Sequence, residues 1–287
     1  MSGIERQPLQ AAVKRALQMA CEMRRRSSAS AVAMLAVSAV VLAPQARGDD
    51  YFASDETELR DAIDDANLDP EASATITLNG NITLASTTAF SALTKPITIN
   101  TNGYTLAGQS GTNPGGTLEF SGNTVSVTGT GELRGGNGLA NGASAAGGAG
   151  LRLIDGSAIN TASIMGGTGG DNATAGAGTG GIGVWVTNGS LTNDGSITGG
   201  DGGTKTAGDG PSGGAGAGNT GVYITNGSLT NNGQITGGRG GDYTGTFNLG
   251  SGNGGAGAQF IGGSLVNNGH DPRRRTGHCA SVHWRKW

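Results

Sequence analysis

The sequence predicts an all-β chain wound as a parallel β-helix, and three observations predict it. The first is a repeat. From Gly150 the chain reads G-L-R-L-I-D-G-S-A-I-N-T-A-S-I-M-G-G, and from Gly183 G-V-W-V-T-N-G-S-L-T-N-D-G-S-I-T-G-G. From Gly221 it reads G-V-Y-I-T-N-G-S-L-T-N-N-G-Q-I-T-G-G; a fourth copy opens at Gly257 and breaks off at Gly269. The anchoring serines Ser157, Ser190, Ser228 and Ser264 are 33, 38 and 36 residues apart. A period in this range marks stacked supersecondary units that bury a core only together.

The second observation is column chemistry. Leu151, Val184, Val222 and Ala258 align, as do Leu153, Val186, Ile224 and Phe260, with Arg152, Trp185, Tyr223 and Gln259 between them. Apolar, variable, apolar is the period of a strand buried on one face. Ala158, Leu191, Leu229 and Leu265 form a further apolar column, and Ile164, Ile197 and Ile235 another, so each copy holds three short strands. The third observation is the corner residues: Asn-Gly at 188 and 226, and Asn-x-Gly at 193–195 and 231–233. These residue types enter positive φ at low cost, as a tight corner requires. The column Asn160, Asn193, Asn231 and Asn267 predicts a structural ladder of stacked amides at one corner.

Along the chain, Arg24, Arg25 and Arg26 precede an apolar run over 29–43, and Ala46-Arg47-Gly48 offers small residues at a cleavage site. Residues 1–48 thus read as a secretory signal peptide, with Met23 as an alternative start, and imply the Sec export machinery as a partner. Residues 49–135 read as an N-terminal cap and first coils. Within them, 54–66 is the one good helix: Asp55 and Glu58 have capping-box spacing, and Leu59, Ala62, Ile63 and Ala66 share a face. Such a helix covers the apolar end of a first coil. Strands follow over 75–78, 81–84, 96–100, 104–107, 117–120 and 124–128, broken by Asn and Gly.

Residues 136–269 form the glycine-rich repeats. Of the 57 glycines, 54 lie at or after Gly103. Connections over about 166–181, 199–220 and 237–256 have few apolar side chains, which predicts mobile loops leaving one corner. Residues 270–287 break the pattern: they hold all three histidines, five basic residues and two of the three tryptophans. We read this tail as the product of a shifted reading frame, overwriting the end of the fourth copy.

Charge and residue types narrow the functions. Residues 49–269 carry 18 acidic against 6 basic side chains, a balance of −12 that disfavours nucleic acid and anionic membranes. No histidine precedes His270, and Cys279 is the only cysteine beyond the signal segment. A serine-protease triad at the loop 208–214, His or Cys zinc sites, and disulfides within the exported chain are therefore not expected. The segments G-G-T-G-G-D from Gly166 and G-G-R-G-G-D from Gly237 match part of a calcium-binding nonapeptide, but they stand 71 residues apart, where ligation needs tandem copies. Asp155, Asp194, Asp201 and Asp209 fall at corners or in loops, where Asp is ordinarily a turn former. No catalytic residues, cofactor or metal are expected. The outward column Arg152, Trp185, Tyr223 and Gln259 is the candidate contact surface, set against the simpler reading of solvent-facing strand residues without a ligand.

The signal segment, the capping helix, the strands A-T-I-T-L-N-G-N-I-T-L and K-P-I-T-I-N-T-N-G-Y-T-L-A-G, and the repeated L-T-N-x-G-x-I-T-G-G together resemble the passenger domain of a bacterial autotransporter, a type V secreted protein. The resemblance spans 23–269. It implies a right-handed parallel β-helix at the cell surface, serving adhesion to a host or surface glycan or protein ligand without catalysis. It also implies a C-terminal outer-membrane translocator β-barrel, whose alternating strands of roughly ten residues are missing from this chain. This chain is then expected to be a truncated passenger that stops in the periplasm. Two other readings stand beside it: a secreted β-helical polysaccharide lyase or glycoside hydrolase, which needs outward carboxylates clustered on adjacent coils, and a glycine-rich structural envelope protein.

Overall fold

The structure is a computed structural model that describes residues 49–112, 114–141, 145–173, 175–206, 213–244 and 250–269. All of them belong to the second of the chain's two units, Pro44–Trp287. The expected signal segment 1–48, most of the loop 208–214 and the tail 270–287 lie outside the described residues.

The described chain is an all-β fold of parallel sheets with one helix. Strand β1 (Asp49–Ala53) leads into α1 (Glu56–Leu68), followed by β2 (Ala74–Leu78), β3 (Ile82–Thr83), β4 (Ile97–Asn100) and β5 (Thr105–Ala107). Next come β6 (Glu119–Ser121), β7 (Thr124–Thr128) and β8 (Glu132–Arg134). The repeats then supply β9 (Leu151–Ile154), β10 (Ser157–Asn160), β11 (Ser163–Met165), β12 (Val184–Thr187), β13 (Ser190–Asn193) and β14 (Ser196–Thr198). In the last two copies the first two strands run together, giving β15 (Val222–Asn231), β16 (Gln234–Thr236) and β17 (Ala258–Asn267). One sheet has the order β1-β2-β4-β7-β10-β13-β15-β12-β9-β6 with β17 beside β15; the other runs β16-β14-β11-β8-β5-β3.

Register follows the repeat. Val184 lies opposite Leu151 on one side and Val222 on the other, and Leu191 opposite Ala158 and Leu229, all in parallel pairs. The apolar columns therefore stack: Leu151, Leu153, Val184, Val186, Val222 and Ile224 are all fully buried. Each such side chain contributes roughly 1.5–3 kcal/mol on burial. Within one copy a short strand could bury almost none of this surface, so the energy belongs to the contact between neighbouring copies. At the last copy the pattern thins. Phe260 and Leu265 are only partly buried, and Ala258 is exposed.

Helix α1 buries Leu59, Ala62, Ile63 and Ala66, the face read from the sequence. Its cap differs in one arm. The Glu58 N–H donates to Asp55 Oδ1 at 2.9 Å, but the Glu58 carboxylate reaches past Asp55 to accept from Ser54 N–H at 2.8 Å and Ser54 Oγ at 2.7 Å. On its outer side Arg60 donates to the Thr88 carbonyl at 2.9 Å and lies 4.9 Å from the centroid of Phe90, which stacks on Phe120 at 4.7 Å. Partial burial pushes the Glu56 carboxyl up, but the Ala85 N–H and the Arg60 guanidinium outweigh it and hold the group below the usual carboxylate range.

Among the described residues, the glycine connections form hydrogen-bonded layers where mobile loops were expected. Gly167 N–H donates to Gly148 O, Gly181 to Gly167, Gly200 to Gly181, Asn219 to Gly200, Gly238 to Asn219 and Gly255 to Gly238, all at 2.7–3.0 Å. These bonds zigzag between the segment that leaves one repeat and the segment that returns to the next. Between them, Gly166 and Gly169 donate along their own layer to Thr198 O and Asp201 O, while Gly170 crosses to Ala145 O. The pattern recurs every three residues, the period of polyproline II. The third residue of each triplet, Thr168, Asp171, Asp201, Thr204, Arg239 or Asp242, accepts a backbone bond through its carbonyl, and the N–H groups of Thr168, Thr204 and Arg239 donate instead to the side chains of Asn137, Asp171 and Asp201. Composition misleads here because it counts side chains. This layer is held by backbone, which glycine allows to approach backbone directly: a Cβ at Gly178 would lie 1.7 Å from the Ala145 carbonyl oxygen. Lys205 is buried in the same layer, its Nζ donating to the carbonyls of Ala173 at 3.0 Å and Ala175 at 2.8 Å.

Candidate contact surface

Register brings the predicted outward column together. Trp185 on β12 lies opposite Arg152 on β9 and Tyr223 on β15, and Tyr223 lies opposite Gln259 on β17. Glu119 on β6 extends the column by one rung, opposite Arg152. The sequence did not single it out, because the stretch around β6 lacks the repeat; its signal was only that it precedes buried Phe120 as Arg152 precedes Leu153.

The column is a chain of contacts, each at the spacing of parallel strands, about 4.8 Å. Arg152 Nη1 donates to Glu119 Oε2 at 2.7 Å, and the same guanidinium stands 4.8 Å from the centroid of Trp185. Trp185 meets Tyr223 edge to face, with centroids 5.8 Å apart and planes at 89°. Gln259 closes the row and is exposed. The ion pair is a surface one and is worth under about 1 kcal/mol; the cation–π contact adds about 0.5–1 kcal/mol. Against this, Arg152 Nε and Trp185 Nε1 are shielded and find no acceptor among the described residues, at a cost of roughly 1–3 kcal/mol each.

Beside the column, the corner between the first and second strands of successive repeats is indented by a shallow polar groove of about 450 Å³. Asn123, Thr124, Asp155, Ser157, Asn188 and Ser190 line it. Asp155, Asn188 and Asn226 all adopt positive φ, between 52° and 53°. Their side chains stack outward: Asn188 Nδ2 donates to Asp155 Oδ1 at 3.1 Å, and Ser157 Oγ and Ser190 Oγ share a hydrogen bond at 2.8 Å. Each rung offers one amide or carboxylate and one hydroxyl. No single segment of sequence shows this groove, since two repeats and the preceding segment 122–124 build it; the serine and Asn-Gly columns were its trace.

The amides of Asn160, Asn193, Asn231 and Asn267 form a second, inward ladder. Asn160 Nδ2 donates to Asn193 Oδ1 at 2.8 Å, Asn193 to Asn231 at 2.8 Å and Asn231 to Asn267 at 2.9 Å. Asn160 and Asn193 are fully buried, so these bonds satisfy groups that water cannot reach.

The carboxylates are dispersed. Glu119 faces a cation, Asp194 Oδ1 accepts from Asn232 at 2.7 Å, and Asp201 Oδ1 accepts from the Arg239 N–H at 2.6 Å. Asp171, in the first calcium-like segment, accepts from the Thr204 N–H at 2.6 Å. Asp209 and Ser212 lie outside the described residues. Among the described residues no three His, Cys, Asp or Glu side chains gather into a metal-binding group, and no helix is long and apolar enough to cross a membrane. No family model, curated protein or solved structure matches the chain.

Proposed function

We propose that the chain is an autotransporter passenger: an exported right-handed parallel β-helix, capped by α1, that serves adhesion through its outer face. The observation that carries this reading is the outward column Glu119–Arg152–Trp185–Tyr223–Gln259 running beside the polar groove. It combines aromatic edges with amides and hydroxyls, at one contact per strand spacing, and includes two shielded donors that the fold leaves without acceptors. Aromatic and Arg side chains on a rigid scaffold are the residues that dominate recognition surfaces. The rung beside Glu119 carries Arg152 rather than a second carboxylate, which supports a binding role over glycan cleavage. The ligand class is a host or surface glycan or protein.

The test separates display from adhesion. The chain, fused to a translocator barrel and expressed in a Gram-negative host, is expected to become antibody-accessible on intact cells and to raise their retention on epithelial monolayers. Trp185→Ala together with Tyr223→Ala is expected to cut retention at least fivefold at equal display. Retention no better than that of the barrel alone ends the adhesion reading; failure of export with the native leader ends the passenger reading.

A further inference from the structure

We propose that the polar groove at the first corner is a subsite for a neutral, extended β-linked glycan lying along the stack, one sugar to each rung, a role that rests on the adhesion reading and takes the glycan rather than the protein as ligand. Three rungs build the groove: Asn123 and Thr124 on the first, Asp155 and Ser157 on the second, Asn188 and Ser190 on the third. The other lining residues are glycines, Gly122, Gly156 and Gly189, so no apolar side chain faces the opening. A protein ligand needs a recess for an aromatic or apolar anchor, and this groove offers none. A hydroxyl-rich ligand needs the opposite, donors and acceptors at short intervals.

Backbone fixes the floor. A Cβ on Gly156 would lie 2.4 Å from the Asn123 carbonyl oxygen, and one on Gly189 2.1 Å from that of Gly156, so the rungs close on each other with no side chain between them. Asp155 and Asn188 share a φ of 53° and are both exposed. The bond from Asn188 Nδ2 to Asp155 Oδ1 at 3.1 Å and the one between Ser157 Oγ and Ser190 Oγ at 2.8 Å keep two polar rows at the strand spacing of about 4.8 Å. An extended β-linked hexose chain advances by nearly that distance per sugar, so its hydroxyls stay in step with three rungs. The rows also keep capacity for them. A carboxylate has about four acceptor positions and an amide nitrogen two hydrogens, and the bond between Asp155 and Asn188 uses one of each. Charge narrows the ligand further. Asp155 is the one charged residue lining the groove, and Arg152 is already paired with Glu119. An acidic sugar would bring a like charge to Asp155 with no cation to answer it, so uronates are disfavoured.

The test is titration of the full chain with β-1,4-linked hexasaccharides of glucose, mannose and N-acetylglucosamine, and with glucuronate and mannuronate hexasaccharides as anionic counterparts. At least one neutral hexasaccharide is expected to bind with a Kd below about 1 mM, and both uronates about tenfold more weakly or not at all. Asn188→Gly keeps the positive φ and removes the amide; it is expected to weaken the neutral ligand about tenfold with an unchanged circular dichroism spectrum. Asp155→Asn gives this rung the residue found at 188 and 226, and is expected to bring the uronates within about threefold of the neutral chains. Failure of all three neutral hexasaccharides to bind overturns the proposal. So do uronates that bind the parent as tightly as neutral chains, or an Asn188→Gly protein that binds like the parent. These titrations need neither display nor cells, so the adhesion reading falls separately. Cells retained through Trp185 and Tyr223 by a chain that binds no glycan would keep adhesion, make its ligand a protein and overturn the subsite.

Discussion

Asn193 and Asn188 are five residues apart and both stack on the neighbouring repeats, yet they do different work. Asn193 is fully buried and bonds both up and down the inward ladder. Its replacement by Ala strands the Asn160 donor and the Asn231 acceptor, and is expected to lower unfolding free energy by about 2 kcal/mol in urea titration. Asn188 is exposed and holds a positive φ that glycine adopts freely, so Asn188→Gly is expected to stay within about 0.5 kcal/mol of the parent. Glycines divide in the same way. Gly178→Ala drives a methyl group into the Ala145 carbonyl, and a loss of about 3 kcal/mol or more is expected; Gly214 has open space around its missing Cβ, and Gly214→Ala is expected to leave the melting temperature unchanged or slightly raised.

At the level of elements, the helix and most strands could be read from the chain, because each is set by a local period. The buried face of α1 and the three strands of each copy are side-chain patterns, and side chains are what a sequence displays. β1 escaped notice because its opening Asp-Asp conceals any alternation. The glycine segments were misread for the opposite reason: their cohesion lies in backbone bonds, to which composition is blind, although the triplets G-G-T-G-G-D, G-G-D-G-G-T and G-G-R-G-G-D show it once the period of three is known. Helix α1 offers two tests. Asp55→Ala removes the N-cap acceptor and is expected to cost about 1 kcal/mol in the same titration. Glu56 is held below the usual carboxylate range, so its contribution is complete above the unfolded-state pKa of about 4.3 and is lost as pH falls through the lower folded-state value. Glu56→Gln is expected to lower the neutral plateau and to flatten that acidic part of the stability–pH curve.

Across the whole molecule, neighbouring repeats are joined on two sides at once: apolar columns with amide ladders on the strands, and zigzag backbone bonds between the glycine layers. The contact column was legible as aligned residues, but its continuity from Glu119 and the groove beside it arise only when repeats stack. The three-residue period of the glycine layers carries one more consequence, for how such a chain can change in length. Whole triplets can be added or removed without displacing the donors nearer the sheets, much as turns are added to a screw, whereas one extra residue rotates every later N–H away from its acceptor. A copy of Gly-Gly-Ser inserted after Thr168 is therefore expected to leave the thermal midpoint within a few degrees of the parent. A single serine inserted there is expected to lower it by roughly 5 °C or more. Equal midpoints for the two insertions would show that the layers tolerate any length.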